Sequence, residues 1–169
     1  MATATKIPLG KNCKSYISAT PVAPADTTQA TLDTAIGSAL GTALEMDLIT
    51  DAKINMTMDT DDVSTRKIRL FKANMPTAAD GTISATVIVD PSVASDVVKF
   101  SILRTAYIGL TPIFYAALDG DKAFGGSSGP AGNWYVKTLS RDESLLKAVR
   151  YDLELTPTTN CDWYTVANS

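Results

Sequence analysis

The 169-residue chain contains no histidine. That absence removes Ser-His and Cys-His nucleophilic catalysis, imidazole metal sites and the commonest general base together. Cysteine is nearly absent too: Cys13 and Cys161 sit near opposite ends with no CxxC spacing, so they supply at most two metal ligands and no zinc framework. Two idle thiols are the expectation for a pair this far apart without a secretory signal. A basic surplus is also missing. Fifteen Lys and Arg against eighteen Asp and Glu leave a formal charge of −3, which disfavours a surface built to grip phosphates. No run approaches the ~18 apolar residues of a membrane span. The opening MATATKIPLGKN has no apolar core of the signal-peptide kind, so the expected product is soluble, made in the cytoplasm, and without a membrane anchor.

What is present is ordinary globular material, 45% hydrophobic and 20% charged, enough for one domain over residues 1–169 with a real core. Period-two alternation marks the strands. Lys14 to Ala19 is a short one. Ile54, Met56 and Met58 alternate with Lys53, Asn55 and Thr57, and Ile83, Ala85, Val87 and Val89 alternate with Thr82, Ser84 and Thr86. Leu110 to Leu118 is a short apolar strand. Near the C-terminus, Trp134, Val136 and Thr138 form one row. Val149, Tyr151, Leu153 and Leu155 form another, set against Arg150, Asp152, Glu154 and Thr156. With Ser140-Arg141-Asp142-Glu143 between them, these two runs read as an antiparallel pair.

One helix is expected, opened by Asp90 as N-cap and Pro91 in the first turn and closed at Gly109. Its stripe is Val93, Val97, Phe100, Leu103 and Tyr107, widened by Val98, Ile102 and Ala106. Residues 21–44, rich in Ala, Thr, Gly and Ser, read as a low-complexity arm that orders on assembly. Residues 59–81 read as an extended loop whose Arg66, Lys67, Arg69 and Lys72 fall on both faces, as suits an edge or a projecting arm. Residues 122–132 read as a flexible loop.

Each feature that hints at chemistry has a plainer reading. Gly125 to Gly132 is followed by a strand, whereas a P-loop needs Gly-Lys-Ser/Thr opening a helix. Asp59, Asp61 and Asp62, or Asp119 and Asp121, lack the later positions of a calcium loop and read as solvated turns. Asn55-Met56-Thr57 is a sequon inside a strand, and Asp142-Glu143 is a charged turn with no second pair to shift its pKa values. No catalytic, cofactor or metal site is expected, and an enzyme is the weakest option.

Several short motifs occur in a telling order: Leu9-Gly10-Lys11-Asn12, then Ile54 to Arg66 ending in Asp62-Val63-Ser64-Thr65-Arg66, then Leu118-Asp119-Gly120-Asp121. Ser140-Arg141-Asp142-Glu143 and Val149 to Pro157 follow. Together they resemble tailed-bacteriophage major tail tube proteins, over most of the chain. The resemblance implies a mainly β, α+β fold: an antiparallel β-sandwich or partial barrel with one flanking helix. It further implies six-membered rings stacked head to tail into a virion tail, closed at edge strands that would be a hazard in a monomer. The tape measure, the tail terminator and, in contractile tails, a sheath are the implied protein partners. DNA would be a passenger that is not bound specifically. Subunit-interface candidates are Asp62, Thr65, Arg66, Arg69, Ser140, Arg141, Asp142 and Glu143; lumen-facing candidates are Arg150, Asp152 and Glu154. The arm at 21–44 departs from the family pattern, as an inter-ring clasp, an insertion or disorder. Two alternatives stand beside this reading: the inner tube of a contractile injection system or tailocin, and a small β-barrel ligand-binding module.

Overall fold

In a computed structural model of the chain, residues 13–23, 29–62, 74–142 and 149–167 are described. The described elements, in chain order, are β1 (Lys14–Ser18), α1 (Gln29–Thr42), β2 (Leu44–Glu45), β3 (Ile49–Asp62), β4 (Asn74–Ile88), α2 (Ala94–Gly109), β5 (Ile113–Leu118), β6 (Ser128–Asp142) and β7 (Arg150–Thr165). All seven strands join one antiparallel sheet in the order β2-β1-β5-β6-β7-β4-β3. This is the expected mainly β architecture, with two helices where one was anticipated.

β5 is the middle of the molecule. Every residue from Ile113 to Leu118 is buried, because alternate side chains enter two different cores. Ile113, Tyr115 and Ala117 join Ile17, Ile83, Val87, Trp134, Leu153 and Leu155 against α2. Phe114, Ala116 and Leu118 join Tyr16, Val22, Ala131, Ile36 and Leu40 against α1. The two helices therefore cover opposite faces of the sheet. Burying each large side chain contributes about 1.5–3 kcal/mol.

α1 corrects the reading of 21–44 as an arm. Leu32, Ile36 and Leu40 recur every four residues and place a narrow stripe on the sheet, with Ala35, Ala39 and Ala43 filling between. Small residues suffice there because the helix lies close: a Cβ on Gly37 would meet the Tyr164 hydroxyl at 2.8 Å. The helix stops against a cation from far along the chain. Lys122 Nζ donates to the carbonyls of Leu40, Gly41 and Ala43 at 3.1, 3.2 and 2.7 Å, meeting the C-terminal orphan carbonyls and the negative end of the helix dipole. Its backbone N–H donates to the Tyr16 hydroxyl at 3.0 Å. Replacing Lys122 by Met is expected to lower stability by about 1–3 kcal/mol, and urea denaturation measures it.

α2 begins later than Asp90 suggests. Asp90 Oδ1 accepts from the backbone N–H and the hydroxyl of Ser92, so the carboxylate closes a turn, which also holds it below the usual carboxylate range. Val93 takes the N-cap position in extended geometry, without a side-chain cap. The helix runs through Gly109, and Leu110 adopts the left-handed conformation at its C-cap, donating its N–H to Ala106 O. The buried face is also rotated from the expected stripe. Phe100, Ile102, Leu103 and Ala106 pack on the sheet, while Val93, Val97, Val98 and Tyr107 are exposed. Lys99 fixes this rotation: its stem lies largely buried along the contact and its ammonium pairs with Asp47.

β3 and β4 pair from Ile49↔Val87 out to Asp62↔Asn74. Residues 74–81, and 59–62 before them, are therefore strand where an extended loop was expected. The register shifts between Asp59, paired with Ala78, and Thr60, paired with Pro76, so Thr77 is the extra residue on β4, beside a proline that has no N–H to give. Residues 128–132 are likewise strand, not loop. Residues 63–73, including the basic run, lie outside the described residues.

Candidate functional site

The β6–β7 pair carries the feature that bears most on function. Its register runs Trp134↔Pro157, Val136↔Leu155, Leu139↔Leu153 and Asp142↔Arg150. As the alternation requires, Leu153 and Leu155 are buried and Tyr151 packs on α2, its ring 4.2 Å from that of Phe100. A bulge between Val136 and Thr138 changes which residues of β6 face inward. Thr138 turns out to solvent, where the plain alternation had it inside, and Leu139 takes the core position.

Opposite this core, four strands present a polar face. β7 contributes Arg150, Asp152 and Glu154; β4 contributes Ser84 and Thr86, directly paired with Glu154 and Asp152; β3 contributes Asp51 and Lys53, paired with Thr86 and Ser84. β6 adds Ser140 and Asp142, opposite Asp152 and Arg150, and Lys137, whose Nζ lies 2.9 Å from Glu154 Oε1. Among the described residues no helix covers this area, and Asp51, Lys53, Ser84, Arg150 and Asp152 are exposed. A shallow depression bordered by Asp51, Lys53, Ser84, Thr86 and Asp152 runs across it. Four carboxylates stand against three cations here, so the face is close to neutral and slightly acidic.

The lumen candidates Arg150, Asp152 and Glu154 thus come together with residues that sequence alone did not connect to them. Strand adjacency is a property of topology, and nothing local to β3 or β4 announces that β7 lies beside them. The interface candidates divide. Ser140, Arg141 and Asp142 belong to β6 and not to the turn; Ser140 and Asp142 lie on the polar face, and Arg141, opposite Tyr151, on the other. Asp62 ends β3, paired with Asn74. Thr65, Arg66, Arg69 and Glu143 lie outside the described residues.

The acidic turns serve the fold. Asp119 Oδ1 accepts from Ser128 N–H at 2.7 Å. Asp121 accepts from Ala123 N–H and pairs with Lys14, which together hold its carboxyl below the ordinary range. Both cysteines are free, Cys13 exposed and Cys161 mostly buried. Burial pushes the Cys161 thiol up to about 12, and its Sγ donates to Asn133 O, which makes it an inert packing group.

Sequence and structural comparisons give different depths of information. No protein-family model matches the sequence, and no curated protein matches it as a relative. The fold does have clear neighbours, and one of them is a tail tube. One is a chain of the virion of a native gene transfer agent particle, at TM-score 0.63 and 10% identity, covering 92% of this chain and 97% of that one. A second, from the C6-symmetric tail of an empty gene transfer agent particle, aligns at TM-score 0.62 and 13% identity, with 92% and 97% covered. The SPP1 tail tube aligns at TM-score 0.61 and 11% identity, covering 95% of this chain and 79% of that one.

Proposed function

We propose that the protein is a major tail tube subunit, a structural conduit and not a catalyst. Six copies close into a ring, rings stack into a virion tail, and the bare face of β3, β4, β7 and β6 lines the channel. The observation that carries this reading is a sheet with an apolar face sealed by α2 and a polar face left without cover, in a fold shared with tail tubes. A tube wall needs a face that meets water along the channel and an edge that can pair with the next subunit. Among the described strands, β3 ends the sheet on one side and the two-residue β2 on the other, and these are the edges offered for pairing between subunits.

The near-neutral, slightly acidic wall suits DNA transit. Among the described residues, phosphates find no dense lysine or arginine field to hold them, and Lys137 is already engaged by Glu154. The tape measure, the terminator and, in a contractile tail, a sheath would meet the tube's ends and outer surface. Negative-stain microscopy of the purified protein tests the assembly: rings with six-fold symmetry, or tubes of stacked rings, are the expected result. A protein that stays monomeric when supplied with a tail initiator complex contradicts the reading.

A further inference from the structure

Two apolar features lie at opposite ends of β5. Where the strand finishes, at Ala117 and Leu118, a cleft of about 590 Å3 opens. Of its lining, Met46, Ala117 and Pro130 are buried, while Trp163 is 54% exposed and Ile54 38%, so apolar surface is left open to water. Where the strand begins, the turn from α2 projects apolar side chains outward. Ile108 is 69% exposed and Leu110 79%, and no charged side chain occurs between Arg104 and Asp119. Leu110 is also the one non-glycine residue with positive φ among the described residues, at +50°. Glycine suits that conformation better, and Gly109 stands one place too early to supply it. The leucine thus adds backbone strain without filling its own subunit's core. Both costs are offset once the side chain is buried against another surface.

We propose that Ile108 and Leu110 of one copy seat in the cleft of a second copy, head to tail, a contact that rests on the tube reading above. The length of β5, about 16 Å, separates the knob from the cleft, so a subunit cannot fill its own. A second copy is the occupant because one chain carries both halves of the contact. A knob and a pocket at different places on the same surface pair heterologously, and such pairing propagates from copy to copy. Its direction is set by the sheet. Ring closure through β3 and β2 runs across the strands, whereas the knob and the cleft are displaced along them. Their contact therefore joins one ring to the next.

A Leu110→Cys variant of the full-length protein reads the contact directly, because the native Cys13 is exposed and borders the cleft. A short bismaleimide reagent, applied to concentrated protein, is expected to join position 110 of one copy to Cys13 of the next, giving dimers, trimers and longer chains on a denaturing gel. Wild-type protein, and the variant carrying Cys13→Ser as well, should give no such ladder. Peptide mapping identifies the linked pair. Absence of the link overturns the proposal, and so does a link that stops at dimers, which would mean a closed two-fold pair. Two further variants measure the consequence. Leu110→Asp should lower the yield of tubes about tenfold or more, since a carboxylate is costly to bury there, while six-fold rings still form. Leu110→Gly should lower it too, although it relieves the left-handed strain and so leaves the urea midpoint no lower. Undiminished tubes from Leu110→Asp overturn the proposal and leave the tube reading standing. The link without six-fold rings keeps the contact and contradicts that reading.

Discussion

Replacing Gly132 by alanine is expected to cost at least about 3 kcal/mol and to leave little folded protein at 37 °C. Gly132 has φ +146°, and a Cβ there would stand 2.1 Å from Asn160 O and 2.6 Å from Cys161 Cα. Neither neighbour is a side-chain tip that could swing away; both are backbone of the partner strand. The position matters because the β6–β7 ladder shifts register between Gly132 and Trp134. Before that point β6 pairs with Cys161–Thr165, and after it with Arg150–Pro157. A separation forced here breaks both halves of the ladder. Urea denaturation measures the loss, and Gly41→Ala is the matched control. Gly41 lies in α1 with nothing within 4 Å of an added Cβ, so alanine there should stabilise by about 0.5–1 kcal/mol. Comparable midpoints for the two variants would refute the corner role of Gly132.

Asn133→Leu should cost about 2–4 kcal/mol although it puts an apolar residue into a buried site. Asn133 is 4% exposed, and its amide acts as a piece of backbone. Oδ1 accepts from Val22 N–H at 2.7 Å, and Nδ2 donates to Val22 O at 2.7 Å. The segment after β1 thereby gains both hydrogen bonds of a strand partner without a strand beside it, and Val22 is held in the core under α1. Leucine orphans both backbone groups of Val22 in a site closed to water. Hydrogen exchange locates the effect: the Val22 amide should lose protection ahead of the β6–β7 ladder. An unchanged urea midpoint would mean that these bonds contribute nothing net.

The parts of the fold legible in sequence are those where a strand has one wet and one dry face. Arg150, Asp152 and Glu154 against Tyr151, Leu153 and Leu155 gave a register that the structure keeps, since a one-residue slip would have buried three charges. The bulge at Val136–Thr138 was not legible, because an inserted residue leaves no mark in an alternation that merely drifts. α1 escaped notice for two physical reasons. Its stripe is three residues wide among alanines and glycines, and its C-terminus is capped by Lys122, about 80 residues away in sequence. The Asp90 side chain obeyed the local chemistry of an N-cap, but Ser92 took it first. Residues 74–81 read as a loop because Pro76 and Asp80-Gly81 are turn residues, and only the pairing partner β3 makes them strand.

The same division holds for the proposed channel wall. Its β7 residues were readable from alternation, whereas Asp51, Lys53, Ser84 and Thr86 join it only through the order β7-β4-β3. Long-range adjacency of this kind is fixed by how the two cores close around β5, which no local pattern encodes.

The most direct test of the central claim is a cryo-electron microscopy map of the assembled tube at side-chain resolution. The account predicts six subunits per ring, with Lys53, Ser84, Thr86, Arg150 and Asp152 pointing into the lumen and α2 outside it. A tube whose lumen is lined by α1 or α2, with this polar face turned outward, would contradict it.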